Sequence, residues 1–178
     1  MPGCSRRPLF EPLSVALQGV KRAGAVAGKR VLVCGAGPIG QLIGLVARHY
    51  GAARLAVSDL RQSALDLAAD SWADTPIRPD RPGQLQQAAS NGGFDLVIEA
   101  SGAPAALKTA YECCNPGGTI VQLGTQPDEV ALPVNLLMAK ELTLRGSFRF
   151  AHVFAQALDL LAGRRLDLRP LITDRFAF

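Results

Sequence analysis

Three glycines in the run Gly35-Ala-Gly-Pro-Ile-Gly40 stand where an apolar strand is expected to give way to a helix. Gly35 permits a tight turn, Gly37 lets backbone amides approach a ligand, and Gly40 lets helix and strand pack closely. The first amides of a helix have no partner within it and carry a partial positive charge, so they attract phosphate groups. The pattern alone is weak, but its placement predicts binding of a dinucleotide pyrophosphate.

An acidic residue, Asp59, follows this glycine run by nineteen positions and ends a second apolar segment. A carboxylate there accepts hydrogen bonds from both hydroxyls of an adenosine ribose and repels a 2′-phosphate by like charge. These two signals together favour NAD as the cofactor. Arg61 could instead swing toward a 2′-phosphate, so use of NADP as well stays open. An Asp at a strand end is also a common turn or helix-cap residue.

Short apolar runs alternate along the chain with segments of helical period and supply the framework for these residues. We predict strands at Arg30–Cys34, Arg54–Ser58, Pro76–Arg78, Phe94–Glu99, Thr119–Leu123 and Leu142–Ser147. We predict helices near 12–21, 39–50, 62–72, 84–90, 105–114 and 153–162, and a turn at Pro116–Gly118.

Strands that alternate with helices of this length imply right-handed crossovers and a parallel sheet covered on both faces. The predicted fold is therefore α/β, a single doubly wound parallel sheet of the Rossmann type. A flavodoxin-like strand order uses the same elements, and periodicity does not exclude it. The glycine loop favours the dinucleotide-binding order.

The composition is that of one globular domain. The 178 residues are 48% hydrophobic and 19% charged, which is enough for one well-filled core. The net charge of +4 is spread without the interleaved aromatic residues of single-strand binders, which argues against a nucleic-acid partner. No apolar run approaches membrane-spanning length, and Met1–Pro8 lacks the apolar core of a signal peptide. We therefore expect a cytoplasmic protein with no membrane partner.

The cysteines and histidines do not form a metal-binding pattern. Cys34 and Cys113 lie in apolar surroundings typical of buried thiols, and Cys114 is adjacent to Cys113 rather than spaced from it. His49 and His152 are isolated from each other. Because structural metal sites use spaced ligand pairs, we expect neither a metal site nor a disulfide framework in this chain.

From Glu11 onward the sequence resembles the zinc-type medium-chain dehydrogenases of the sorbitol dehydrogenase branch. The runs that carry the resemblance span nearly the whole chain and are Glu11–Ala16, Gly35–Gly40, Ser58–Leu60, Phe94–Gly102, Pro116–Gly124 and Lys140–Phe150. The resemblance implies NAD(P)-dependent hydride transfer to or from a secondary alcohol of a polyol or sugar acid. It also implies a zinc ion that polarises the oxygen, held mostly by an N-terminal lobe and so not expected in this chain.

The resemblance implies roles for individual residues in the cofactor site. It places Gly37, Pro38 and Ile39 at the pyrophosphate and Asp59 at the ribose. It places Ser101 at a ribose edge, and Leu123 with Phe148 at the carboxamide through backbone groups. All of these positions follow strands, at the edge of a doubly wound sheet where ligands bind.

Two candidate catalytic residues also come from the resemblance. Glu11 resembles the acidic residue beside the catalytic zinc, and Arg149 resembles the arginine near the substrate hydroxyls. A bidentate arginine contact suits a substrate that carries a carboxylate. Without the resemblance, Glu11 is a first-turn helix acid favoured by the macrodipole, and Arg149 is a surface ion-pair residue.

The expected organisation is an irregular segment at residues 1–10 and a dinucleotide-binding domain at 11–178, truncated at its C-terminal end and lacking the family's catalytic lobe. We expect the cofactor-binding portion of an oxidoreductase, inactive alone. A non-enzymatic NAD-binding module, acting as a redox sensor or partner subunit, is the alternative. The strand resembling Leu142–Ser147 lies in the family at a sheet edge that pairs with a second subunit. An edge exposing Leu142 and Leu144 would need cover, which favours a homodimer or homotetramer.

Overall fold

Six parallel strands form one sheet with helices on both faces in the computed structural model, which describes residues 9–172. The strands are β1 (Arg30–Cys34), β2 (Arg54–Ser58), β3 (Thr75–Ile77), β4 (Phe94–Glu99), β5 (Cys114–Gln122) and β6 (Thr143–Gly146). The helices are α1 (Phe10–Arg22), α2 (Pro38–His49), α3 (Gln62–Ser71), α4 (Gln84–Ser90), α5 (Pro104–Cys113), α6 (Val134–Ala139) and α7 (Phe154–Ala162). A 3₁₀ turn follows at Arg169–Leu171.

The spatial order of the strands is β3-β2-β1-β4-β5-β6. The order reverses between β1 and β4, which is the arrangement of dinucleotide-binding domains, where ligands bind outside the carboxyl ends of the strands at the reversal. The predicted doubly wound parallel sheet is confirmed, and the flavodoxin-like alternative is wrong.

The structure departs from the predicted element bounds in a few places. Strand β5 begins at Cys114 because the Pro116–Gly118 turn is absorbed into it as an irregularity, with the Gly117 amide donating to the Lys140 carbonyl at 2.7 Å. Helix α6 was not predicted. Helix α1 begins at Phe10, so that residue belongs to the helix rather than to the irregular segment. Residues 1–8 of that segment and 173–178 of the domain lie outside the described residues.

Alternate residues of each strand feed two separate cores. Val31 and Val33 of β1 pack on the face covered by α1, α2, α3 and α7, whereas Leu32 and Cys34 pack on the face covered by α4, α5 and α6. A parallel sheet buried on both faces requires continuous apolar strands of this kind. None of the described helices is long and apolar enough to cross a membrane.

The first core contains the one tryptophan of the chain, which lies flat against helix α2. A Cβ atom at Gly44 would overlap the Trp72 ring, so glycine is needed at that position. The Trp72 indole N–H donates to Gln41 Oε1 at 2.8 Å. Gln41 Nε2 donates in turn to the carbonyl oxygens of Ala36 at 3.1 Å and Ala64 at 2.8 Å. This buried network joins α3 to the loop before α2.

Lys140 caps the carboxyl end of helix α5. Its Nζ donates to the carbonyl oxygens of Tyr111, Glu112 and Cys114 at 3.1, 2.7 and 2.9 Å. The last carbonyls of a helix have no partner within it and carry a partial negative charge, so a cation there satisfies both needs. This residue of the Lys140–Phe150 run therefore has a structural role.

Replacing Gly44 by Ala tests the contact between α2 and Trp72. In an open helix this change stabilises by about 1 kcal/mol, because alanine has the higher helix propensity. Here we expect a loss of about 1–3 kcal/mol in the free energy of unfolding, the usual cost of overpacking. Urea denaturation followed by circular dichroism measures it. Gly146→Ala, where an added Cβ meets nothing within 4 Å, is the control; a gain in stability in Gly44→Ala would contradict the contact.

Candidate cofactor-binding site

The glycine loop between β1 and α2 brings helix and strand into close contact. Gly35 has a left-handed φ of +100°, and a Cβ there would lie 2.9 Å from the Ser101 amide nitrogen. A Cβ at Gly40 would overlap the Gly35 carbonyl oxygen. Both positions therefore require glycine. The geometric roles predicted for these two glycines, a tight turn and close packing of helix on strand, match the structure.

The amino end of helix α2 faces open space beyond Gly37. Gly37 is its N-cap, Pro38 occupies the first turn, and the first helical hydrogen bond runs from the Gln41 amide to the Gly37 carbonyl at 2.9 Å. The Ile39 and Gly40 amides precede that bond and have no partner within the helix. An added Cβ at Gly37 would find only an Arg61 guanidinium nitrogen, at 3.9 Å. The loop therefore leaves room for an anion.

Asp59 joins the end of β2 to this loop. Its Oδ2 accepts the Ala36 amide at 2.7 Å, and its Oδ1 accepts the Arg61 amide at 2.8 Å and Arg61 Nε at 3.4 Å. Burial opposes ionisation of Asp59, but the two amides and the guanidinium outweigh it, so the pKa of this carboxyl lies below its ordinary value. Asp59 is therefore a carboxylate at neutral pH.

A cavity of about 540 Å³ opens beside Asp59 at the carboxyl ends of the strands. It brings together four residues predicted for the cofactor site, Gly35, Asp59, Arg61 and Ser101. The remaining lining is mostly apolar or small and comes from Ser58, Leu60, Pro79, Asp80, Leu85, Ala103, Ala105, Ala106 and Thr109. Apolar walls with a few convergent polar groups are typical of a site for a flat organic ring.

Glu99, at the end of β4, is fully buried and holds the loops at this edge of the sheet. Its Oε1 accepts the Ser101 amide at 2.7 Å, Ser101 Oγ at 2.5 Å and the Gly102 amide at 3.0 Å. Its Oε2 accepts Gln122 Nε2 at 2.7 Å and Gln126 Nε2 at 3.2 Å. A buried carboxylate is tolerated only when its lone pairs are satisfied in this way. Glu99 thus joins the segments that follow β4 and β5.

Sequence reasoning did not single out Glu99 as a site residue. The available signal was an acid at the end of a mostly apolar strand, followed by Ala-Ser-Gly, a position comparable to that of Asp59 directly after β2. The convergence of Gln122 and Gln126 on it depends on how two loops fold back, which no local pattern records.

Four further predicted residues lie toward the β5–β6 side of the sheet, outside the lining of the 540 Å³ cavity. The Leu123 amide donates to the Glu99 carbonyl at 2.9 Å, and its side chain packs against Gly19 of α1. Phe148 is 81% exposed, and the Arg149 guanidinium lies over its ring at 5.2 Å from the centroid. Arg149 itself has a left-handed φ of +49°, and Glu11 is exposed in the first turn of α1.

An aromatic cluster connects the surroundings of Glu11 with those of Arg149. The Phe154 ring stacks on that of Phe10, with the ring centroids 5.1 Å apart. The centroids of the Phe154 and Phe150 rings are 4.4 Å apart. Phe10 directly precedes Glu11, and Phe150 directly follows Arg149. The two candidate catalytic residues therefore flank the same cluster, although they were predicted from segments far apart in sequence.

The described cysteines are buried and weakly acidic. Burial raises the pKa of Cys34 to about 12 and that of Cys114 to about 11. Reactive or metal-binding cysteines instead have lowered pKa values. Within residues 9–172 no group of three or more His, Cys, Asp or Glu is placed to hold a metal ion. The zinc ligand set that the family resemblance implies therefore has no counterpart among these residues.

Replacing Glu99 by Gln tests its role as the organising carboxylate. The amide presents an N–H where the site supplies only donors, so we expect a loss of about 1–3 kcal/mol in the free energy of unfolding. Thermal and urea denaturation measure this loss. Glu129→Gln removes the same charge from an exposed position and should leave stability within about 0.5 kcal/mol of the parent. Equal stability of the two variants would contradict the role of Glu99.

Comparison with known proteins places the chain among dehydrogenases. A family model described as zinc-binding dehydrogenase matches residues 38–163. A D-xylulose reductase from Saccharomyces cerevisiae is 38% identical over 96% of this chain and 50% of its own length. An L-idonate 5-dehydrogenase (NAD(P)⁺) from Escherichia coli K12 is 35% identical over 94% of this chain and 49% of its own length. The chain spans about half the length of the curated relatives it matches.

Solved structures agree with these relatives. The L-idonate 5-dehydrogenase of Escherichia coli K-12 superimposes with a TM-score of 0.86 at 36% identity, over 92% of this chain and 47% of that one. An alcohol dehydrogenase from Escherichia coli CFT073, solved with NADH, superimposes with a TM-score of 0.86 at 27% identity. The match covers 92% of this chain and 49% of that one. A zinc-binding dehydrogenase from Sinorhizobium meliloti 1021, solved with NADP, superimposes with a TM-score of 0.85 at 28% identity. The match covers 96% of this chain and 56% of that one.

The resemblance seen in the sequence, which in Lys140–Phe150 is to L-idonate 5-dehydrogenase in particular, is confirmed by these matches. The family model alone covers well over half of the chain. The fold of this chain superimposes on about half of the L-idonate 5-dehydrogenase structure. The chain therefore belongs to the zinc-binding dehydrogenase family.

Proposed function

We propose that this chain binds NAD in preference to NADP and supplies the cofactor half of a polyol or sugar-acid dehydrogenase. The observation that carries the proposal is the Asp59 carboxylate, which lines the 540 Å³ cavity and is tied to the glycine loop through the Ala36 amide. Family relatives solved with NADH and with NADP support a nicotinamide dinucleotide in general and leave the preference to the residues of this chain.

Adenosine is the half of the cofactor that we assign to this cavity. The adenine ring would lie between apolar and small side chains such as Leu60, Leu85 and Ala106. The ribose hydroxyls would donate to Asp59, whose lowered pKa keeps it an acceptor. The pyrophosphate would then meet the open space beyond Gly37 and the free amides of Ile39 and Gly40, beside Pro38.

Charge supports NAD over NADP. A 2′-phosphate on the adenosine ribose would lie beside the ionised Asp59. The second carboxylate in the lining, Asp80, is paired with the Arg78 guanidinium and adds little to this repulsion. Arg61 is the one cation lining it among the described residues, and it pairs with Asp59 at 3.4 Å. Arg61 is 64% exposed on its side chain and would have to leave that pair to meet a phosphate. NADP binding is therefore proposed to be weaker, not absent.

The nicotinamide end is assigned to the β4–β5 side of the same sheet edge. Ser101 is held by Glu99 at the cavity rim, and Leu123 follows β5. The Leu123 amide is engaged by the Glu99 carbonyl, so its carbonyl oxygen is the group we propose for the carboxamide. Phe148 is proposed to contribute through its backbone, as its side chain projects away from the protein.

Substrate contacts are proposed for Glu11 and Arg149. The proposed substrates are a polyol or a sugar acid such as L-idonate, because relatives named for xylulose, sorbitol and idonate match over the same residues. A sugar acid carries a carboxylate that a guanidinium binds with two parallel hydrogen bonds. Arg149 has a left-handed backbone conformation, which non-glycine residues rarely adopt and which is common at functional sites.

The exposed edge strand is proposed as a subunit contact. All four residues of β6 are exposed, and β6 has a neighbour on one side only, β5. Leu144 is 37% exposed, whereas Leu142 is only 7% exposed because it packs into the second core; the expectation that both leucines lie exposed is wrong for Leu142. An unpaired edge of this kind favours pairing with a second copy.

Replacing Asp59 by Ala tests the cofactor assignment. Loss of a charged acceptor pair should weaken NAD binding by about 10- to 100-fold, or 1.5–3 kcal/mol, and should bring NADP closer to NAD. Calorimetric titration of both cofactors measures the ratio of their Kd values. The ratio distinguishes a lost ribose contact from a loosened glycine loop, because a loosened loop would weaken the binding of NAD and NADP alike. Asp66→Ala on α3 is the matched control, and equal affinity of the parent for NAD and NADP would overturn the preference.

Turnover by the chain is the second test. We expect no oxidation of L-idonate or sorbitol by the 178-residue chain even with NAD bound, because the described residues offer no electrophile for the developing alkoxide. Loss of one such stabilising group costs about 3–4 kcal/mol of barrier. NADH formation followed by absorbance, beside metal analysis of the purified chain, checks this. Steady turnover that vanishes in Glu11→Gln or Arg149→Gln would show that these residues form a complete site.

A further inference from the structure

A second cavity, of about 320 Å³, lies at the opposite end of the sheet from the glycine loop. It is formed where strands β1, β2 and β3 begin and is covered by helix α4. The side chains that give it its polar character are Arg30, Arg54, Thr75, Gln84, Gln87 and Asn91. It shares no lining residue with the cavity beside Asp59.

Two arginines stand side by side in this cavity. Arg30 and Arg54 are register partners on the adjacent parallel strands β1 and β2, so both side chains leave the same face of the sheet. Among the described residues neither guanidinium forms an ion pair. Arg30 Nε is buried without a hydrogen-bond partner, and the Arg54 bond to Thr75 Oγ1 is long, at 3.4 Å. Two neighbouring cations left without a counter-charge repel each other, which an anion between them would reverse.

Two carboxylates that accept backbone amides at or next to these arginines are already engaged. Asp95 accepts the Arg30 backbone amide at 2.9 Å and Asn115 Nδ2 at 3.1 Å. Asp74 accepts the Leu55 amide at 2.8 Å and pairs with the Arg48 guanidinium. No acidic residue is found in the lining of the cavity within the described part of the chain. Among the described residues the lining therefore carries positive charge and no negative charge.

Helix α4 turns a polar face toward the arginines. Gln84, Gln87, Ala88 and Asn91 follow the i, i+3, i+4, i+7 spacing of one face, and all four line the cavity. Gln84 Oε1 accepts the Arg78 amide at 2.7 Å, which leaves its Nε2 as a donor. A helix of a doubly wound fold ordinarily turns apolar side chains toward the sheet. Here amides occupy the outer part of that face.

We propose that this cavity binds a phosphate dianion, either free or as the phosphate group of a small phosphorylated sugar. Two guanidiniums match the charge and the several acceptor oxygens of such a group, which they bind with parallel hydrogen bonds. The volume of about 320 Å³ exceeds what the ion itself needs and lies in the range of small-molecule sites. The amides of α4 and the Thr75 hydroxyl suit the hydroxyls of an attached sugar.

Calorimetric titration of the full chain with inorganic phosphate, ribose 5-phosphate and ribose tests the proposal. We expect both phosphates to bind and ribose not to bind. Tighter binding of ribose 5-phosphate than of phosphate assigns the cavity to a phosphorylated sugar, and equal binding assigns it to free phosphate. Arg54→Gln should lower the affinity for both phosphates by about tenfold or more, and Arg54→Glu should abolish their binding.

Two controls locate the binding. Lys108→Gln removes one positive charge from α5, away from this cavity, and should bind as the parent does. Saturating NAD fills the proposed cofactor cavity and should also leave phosphate binding to the parent unchanged. If Arg54→Gln and Lys108→Gln weaken phosphate binding equally, the effect is one of net charge and the proposed site is wrong. Unchanged phosphate binding in both Arg54 variants would also overturn the proposal. Loss of phosphate binding when NAD is present would assign the phosphate to the cofactor cavity instead and overturn the site. Melting temperatures of all variants confirm that each is folded.

Discussion

The close approach of helix α2 to strand β1 is the constraint on which the rest of this sheet edge depends. It exists because Gly40 has no Cβ to strike the Gly35 carbonyl and because Gly35 adopts a backbone conformation that other residues rarely adopt. The turn is then fixed from the side by Asp59, which binds the Ala36 amide. Once the loop is held in this way, the amino end of α2 can only point out of the sheet edge toward solvent.

Charge is distributed unequally between the two ends of the sheet. At the carboxyl ends, Asp59 and Glu99 each accept hydrogen bonds from donors of the chain itself, so both carboxylates fix loops, and Asp59 also lines the proposed cofactor cavity. At the amino ends, Arg30 and Arg54 have few partners of their own. Satisfied polar groups make a region rigid, whereas unsatisfied ones mark a place where an outside molecule lowers the free energy. The two ends of one sheet thus suit different roles.

Features set by neighbouring residues were predictable from the sequence, and features set by distant ones were not. Strands β1, β2 and β4 were placed correctly because each is a short apolar run bounded by charge or glycine. Helix α6 escaped prediction because Val134–Ala139 is too short for a helical period and is stabilised by Leu136 and Leu137 on the second core.

The same division applies to the candidate site. Asp59 was identifiable because its role follows from its distance to the glycine loop along the chain. Glu99 was not, since Gln122 and Gln126 reach it from another loop. The pairing of Arg30 with Arg54 requires the register of β1 and β2, which the sequence does not state. Leu142 was misplaced for a similar reason, because its burial depends on the helices that pack beside β6.

The hydrogen-bonded path from Trp72 through Gln41 to the Ala36 carbonyl gives the molecule an internal optical probe. Trp72 is the only tryptophan in the chain, so its fluorescence comes from one known place. Its indole N–H is bound to a side chain whose other end touches the glycine loop. Any ligand that shifts this loop alters the polarity and hydrogen bonding around one chromophore buried among apolar side chains. The emission wavelength of the unmodified protein thereby reports on the state of its glycine loop without an attached label.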